Sequence, residues 1–188
     1  MRGTRRACHR GVTILLICVL VGLAGSAAGQ QPKPDVWAPV RFMVGEWEGR
    51  ATGEAGTGTV RRSYAFVLKD RYLHERNVST YPPQVANKAG EVHEHWSFVS
   101  YDRQRKTLVL RQFHQEGFVN QYVLSVADSG PGKLVFTSEQ FENFDNSWRA
   151  KETYDIRSHD EFVETFELAA PGQDLKVYSR NEFTRVKK

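Results

Sequence analysis

From residue 42 onward, apolar and polar residues alternate almost without interruption, and turn-forming clusters break the alternation at close intervals. A period of two puts successive side chains on opposite faces, as in a strand with one face buried. The pattern predicts ten strands, over 44–54, 57–68, 71–80, 91–101, 106–115, 118–127, 133–141, 147–157, 161–169 and 174–186. Connections such as "AGTG" at 55, "KD" at 69, "DRQR" at 102, "EG" at 116 and "PGQD" at 171 are too short for anything but antiparallel hairpins. Ten such strands in an open sheet would leave two long unpaired edges. The expected fold is therefore all-β, a single ten-stranded antiparallel up-and-down barrel. A two-sheet sandwich needs long crossing connections, of which this chain has few.

The first 28 residues follow another pattern. Arg2, Arg5, Arg6 and Arg10 precede an apolar run from Val12 to Leu23, and Ser26-Ala27-Ala28 supplies small residues for cleavage. This is the pattern of a secretory signal peptide, and the run is short for a membrane span. The organisation expected is a signal at 1–28, a proline-rich lead-in at 29–41 and a barrel domain at 42–188. The product would be exported, to a periplasm or to the medium, with no membrane anchor after cleavage. Cleavage removes four arginines and no acid, so 26 basic residues become 22 against 22 acids. The basicity thus belongs to the leader, and it argues for no nucleic-acid partner. Cys8 and Cys18 leave with it. Disulfides, thiol catalysis and cysteine metal sites are excluded, and about 150 residues must be held by one core.

The first strand, in "FMVGEWEGRATGE", is unusual. One face carries Trp47 followed by Gly49, Ala51 and Gly53. Such an underfilled face leaves room either for aromatic side chains of neighbouring strands or for a guest. Polar residues in apolar registers are the next signal: Asn120 beside Phe118 and Tyr122, Glu152 between Trp148 and Tyr154, Glu164 between Phe162 and Phe166. A buried carboxylate needs a partner. These residues either make structural hydrogen bonds or line a cavity that is apolar with a few convergent polar groups.

Histidines cluster mid-chain. His93 and His95 share a face with Glu91 and Ser97, which reads as a solvated surface and not as a metal site. His74 and His114 fall on neighbouring hairpins and are expected at a barrel mouth. No nucleophile elbow, phosphate loop or HExxH spacing is present, so no catalytic residue and no metal ligand is assigned. The candidate ligand-binding set is Trp47, Tyr64, Phe66, Trp96, Phe118, Tyr122, Trp148 and Tyr154 as walls, with His74, His114, Asn120, Glu152 and Glu164 as orienting polar groups.

"FMVGEWEGRATGE" resembles the "LLGTWxGxGxG" first strand of nitrobindin-type, lipocalin-like and fatty-acid-binding-like β-barrels. "LRQFHQEGFVNQY" at 110–122 resembles their histidine-glutamate-glycine hairpin, and "LAAPGQDLKVYSRNEFTRV" is similar to their closing strand. A closer resemblance is to exported bacterial domains with an "LVGEWEG"-type first strand. The resemblance implies a calycin-like barrel. It also implies, as an alternative function, haem chemistry on peroxynitrite or nitric oxide. The family's last-strand histidine is missing here, and Tyr178 stands near that place, expected to point outward with Lys176 and Arg180. No cofactor is otherwise expected. The leading expectation is an exported barrel holding a small apolar or amphipathic molecule; a filled barrel acting through its surface is the other alternative.

Overall fold

The structure, a computed structural model, describes residues 34–187. The expected signal at 1–28 and the first residues of the lead-in lie outside the described residues. Ten strands follow one another: β1 (Gly45–Gly53), β2 (Gly56–Val67), β3 (Tyr72–Tyr81), β4 (Glu91–Asp102), β5 (Thr107–His114), β6 (Val119–Leu124), β7 (Lys133–Glu142), β8 (Arg149–Ser158), β9 (Glu161–Ala169) and β10 (Lys176–Arg185). Each pairs antiparallel with the next, and β1 pairs with β10, from Trp47 opposite Arg185 to Gly53 opposite Ser179. The sheet closes into a barrel, which removes the edges an open sheet would expose.

The sixth strand stops earlier than its alternation predicts. Beyond Leu124, Ser125 Oγ donates to Asp128 Oδ2 at 2.6 Å and the Ser129 amide to the Ser125 carbonyl at 3.1 Å. These local bonds compete with the ladder and turn the chain.

One end of the barrel is packed by apolar side chains. A 3-10 turn at Arg41–Met43 precedes β1. Val40, Met43, Trp47, Leu73, Leu108, Leu134, Tyr154, Phe162 and Phe183 are all buried there. Phe162 is the hub, with its ring 4.7 Å from both Trp47 and Phe183. The Trp47 indole donates to the Met43 carbonyl at 2.6 Å. The Arg185 guanidinium lies 4.2 Å from the Trp47 ring and donates to the carbonyls of Phe42, Val44 and His159. A single arginine thus ties the lead-in, β10 and the β8–β9 turn together.

The underfilled face of β1 has a backbone cause. A methyl group on Gly49 would overlap the Glu182 carbonyl, and one on Gly53 would overlap the Tyr178 carbonyl, both on β10. The aromatic rings of Phe162 and Phe183, the latter directly opposite Gly49, fill the space beside Trp47, and the main chain of β10 approaches β1 closely where the barrel closes.

Gly49→Ala should therefore cost about 1–3 kcal/mol in urea unfolding with no change in slope. Gly130→Ala, where an added methyl meets nothing within 4 Å, should stay within about 0.5 kcal/mol of the parent.

Candidate functional site

Midway along the axis the interior becomes polar. Arg62 of β2 shares the inward register of Val60 and Tyr64 and is 2% exposed. Its Nη1 and Nη2 donate to the two carboxylate oxygens of Glu164 on β9, at 2.6 and 2.9 Å. Its Nε lies 3.0 Å from both Glu75 Oε1 and Asn77 Oδ1 on β3, and Nη1 reaches the Tyr64 hydroxyl at 3.1 Å. Asn181 Nδ2 adds a bond to Glu164 Oε2 at 2.8 Å.

Two buried glutamates are driven apart by these partners. Burial alone would raise the Glu164 carboxyl, but the charge of Arg62 and its two hydrogen bonds outweigh it and hold the group at about 2. Glu152 on β8 is bonded on one side only, by Gln112 Nε2 at 3.1 Å, and its Oε2 is buried with no partner. Burial, reinforced by the nearby Glu164 charge, pushes Glu152 well above the ordinary carboxylate range.

Above this layer three histidines converge. His95 of β4 stands opposite His114 of β5, and His93 lies two residues along the same face. Their ring centroids are 5.2 to 5.6 Å apart, and one nitrogen from each lies within 4.8 Å of the others. His95 Nε2 is 3.2 Å from Glu75 Oε1, which links the cluster to the Arg62 network. Burial and the neighbouring His95 and His93 lower His114 to about 2, so its ring stays neutral. The expectation of a solvated face at His93 and His95 is corrected: His95 is 8% exposed and Ser97 is fully buried. Counting back from Val99 by twos would have found this, since Val99, Ser97 and His95 all share the inward register.

At the end beyond the histidines, Phe141 and Ala150 are buried, while several other inward-facing apolar residues are only half-buried. Phe118, Trp148, Phe166 and Leu168 form an apolar rim there. Phe118 stacks on His114 at 4.2 Å, and Phe144 bridges Phe118 and Trp148 at 6.0 and 5.5 Å. A bulge between Val177 and Ser179 breaks the alternation of β10 and brings the Tyr178 ring to 5.7 Å from Phe166. Tyr178 thus packs on the rim, where alternation predicts an outward side chain.

The thirteen residues expected at the site separate into four groups. His114, Phe118, Asn120 and Trp148 lie together at the rim or just beneath it. Tyr64, Tyr122, Glu152 and Glu164 belong to the polar layer, where Asn120 Nδ2 donates to the Tyr122 hydroxyl at 3.0 Å. Trp47, Tyr154 and Phe66 sit in the packed end, Phe66 against Trp37 at 5.3 Å. His74 and Trp96 are corrections: both lie on the outer face, their rings 5.3 Å apart, with Trp96 47% exposed. The reason is register, because Leu73 and Glu75 on β3, and His95 and Ser97 on β4, occupy the inner positions. Sequence reasoning overlooked Arg62, Glu75, Asn77 and Gln112, although they continue the inward registers of Val60, Leu73 and Leu110.

Outside the barrel, Trp96, Phe98 and Phe113 line a cleft of about 390 Å³, continued by a smaller one of about 150 Å³ along Leu68, Tyr72 and Arg111. Three imidazoles from two adjacent strands converge on one point.

No family model and no curated protein matches the chain. Among solved structures it is similar to the crystal structure of Rv2717c from M. tuberculosis, with a TM-score of 0.58 at 17% identity over 82% of this chain and 99% of that one. It also matches, with a TM-score of 0.38 and 14% identity over 81% of this chain and 100% of the other, a de novo designed fluorescence-activating β-barrel. The first likeness and the closed ten-strand barrel fit a calycin-like barrel fold, and fold alone does not carry function.

The two glutamates set opposite pH dependences. Glu164, lowered in the folded state, contributes stability above about pH 4.5 that is lost as pH falls towards 2. Glu152, raised in the folded state, contributes most below its unfolded value and loses about 1.4 kcal/mol per pH unit above it. In denaturant titrations Glu152→Gln should gain over the parent progressively as pH rises above about 5, and the gain should vanish near pH 4.

Proposed function

We propose that this protein is an exported barrel that binds one small amphipathic molecule at the end of the barrel opposite the Arg41–Met43 turn. The half-buried rim of Phe118, Trp148, Phe166 and Leu168 carries this reading, because it lies directly above His114 and Asn120, with Phe118 stacked on His114 at 4.2 Å. Apolar surface left half-covered above a layer of polar groups is the usual make-up of a ligand pocket. The apolar body would lie on the rim, each covered Å² contributing roughly 25 cal/mol. Its polar group would meet Asn120 and the histidines. Because the packed end is full, the guest is short and does not span the barrel. Export follows from the leader in residues 1–28.

A second reading has its own observation. The exposed groove at Trp96, Phe98 and Phe113 suits a barrel that works as an interaction module through its outer surface. The probe 1-anilinonaphthalene-8-sulfonate separates the two. Its fluorescence enhancement should fall at least tenfold in affinity with Phe118→Ala and Trp148→Ala combined, and stay unchanged in Trp96→Ala. The reverse pattern would move binding to the outer groove. Native mass spectrometry of protein from its own compartment should show a bound small molecule; a clean apo mass in repeated preparations would count against the ligand reading.

A further inference from the structure

We propose that His93, His95 and His114 bind a single divalent transition-metal ion, of the kind zinc and cobalt represent, between β4 and β5. The site goes beyond the ligand reading and does not depend on it.

Spacing is the first argument. Tetrahedral metal–imidazole bonds of about 2.0–2.1 Å put ligand nitrogens roughly 3.3 Å apart. His93 Nε2 and His114 Nδ1 are already 3.4 Å apart, and one nitrogen from each of the three rings lies within 4.8 Å of the others. Small rotations of three rings complete the set.

The outer nitrogens supply the second argument. Metal-binding histidines hand their other ring nitrogen to a carboxylate or an amide, which fixes tautomer and ring angle. Here His93 Nδ1 is 3.0 Å from Glu116 Oε1, His95 Nε2 is 3.2 Å from Glu75 Oε1, and His114 Nε2 is 3.2 Å from the Asn120 amide. A half-turn of that amide presents its oxygen to Nε2–H. The nitrogens left for the ion are then His93 Nε2, His95 Nδ1 and His114 Nδ1.

His95 Nδ1 is the independent observation. It is buried and has no hydrogen-bond partner. Leaving such a nitrogen unpaired costs roughly 1–3 kcal/mol, and an ion gives it a use. Local charge points the same way. Glu75 and Glu164 share the single guanidinium of Arg62 in the adjoining layer, so a cation nearby is favoured. His93 retains some exposure, at 22% of its side chain, which provides an entry path and leaves the fourth coordination position facing the rim.

The test uses protein without a histidine tag, stripped with EDTA and titrated with Zn²⁺ by calorimetry and with Co²⁺ by visible absorption. The parent should bind one equivalent, and Co²⁺ should show the intense bands of four-coordinate nitrogen ligation. His93→Ala and His114→Ala should each weaken binding at least a hundredfold, and Glu116→Gln about ten- to a hundredfold. His159→Ala, in an exposed turn, should change nothing. His93→Ala sits at the least buried position, and its melting temperature confirms that it folds. Absence of stoichiometric binding in the parent overturns the proposal. So does binding that survives His114→Ala but is lost in Glu91→Gln, which would place the ion at the exposed Glu91, His93 and Glu116 group. Probe fluorescence at the rim is read separately, so loss of the ion and loss of the small-molecule site are distinguishable.

Discussion

Arg62 stands inside the barrel with its guanidinium divided between Glu164 on β9 and Glu75 on β3. Those strands lie on opposite sides of β2 along the closed sheet, β3 adjacent and β9 reached through β1 and β10. The pair therefore spans the interior and fixes how far the walls stand apart there. Desolvating a guanidinium and its carboxylates is expensive, and only near-complete hydrogen bonding offsets the cost. Arg62 has that: both Glu164 oxygens, Glu75, Asn77, the Tyr64 hydroxyl, and the Phe183 ring 4.5 Å from its charge. Removing one partner would strand the rest, which is why the whole polar layer behaves as one unit.

The unequal ends of the barrel follow from this layer. On one side, Trp47, Phe162 and Phe183 pack around each other, and the lead-in supplies Val40 and Met43 to complete a dry core. On the other, the polar groups need continued satisfaction, which Glu75 passes on to His95 and Gln112 provides to Glu152. Apolar residues reappear at this end, some buried, such as Phe141 and Ala150, and others half-covered, such as Phe118 and Trp148. A ten-stranded barrel encloses more volume than its side chains need. The protein fills one half with aromatic rings and leaves the chemically active groups to the other.

Much of this was legible in residue order. Alternation located all ten strands, because a residue's face in a half-buried strand depends only on its parity. It also pointed inward correctly for Asn120, Glu152 and Glu164. The same rule, applied to Arg62, Glu75 and Gln112, would have placed them inside. They were missed because charged and amide side chains are ordinarily read as solvent-facing. His74 and Trp96 went the other way: an aromatic residue was taken as inner, although its neighbours' parity makes it outer. Tyr178 was beyond any such rule, since a bulge shifts the register by one residue and alternation carries no mark of it.

The sequence alone determined the fold class, the strand order and the sharing of side chains between two faces, since these depend on local period and turn chemistry. It also determined that no thiol stands anywhere after Cys18. The pairing of β1 with β10, and so the distance across the closed barrel, was decided only in three dimensions. That distance pairs Arg62 with Glu164, 102 residues away. It brings the β10 main chain against Gly49, and sets His95 beside His114. Partners so far apart in the chain meet by the geometry of strand packing, which no local pattern encodes.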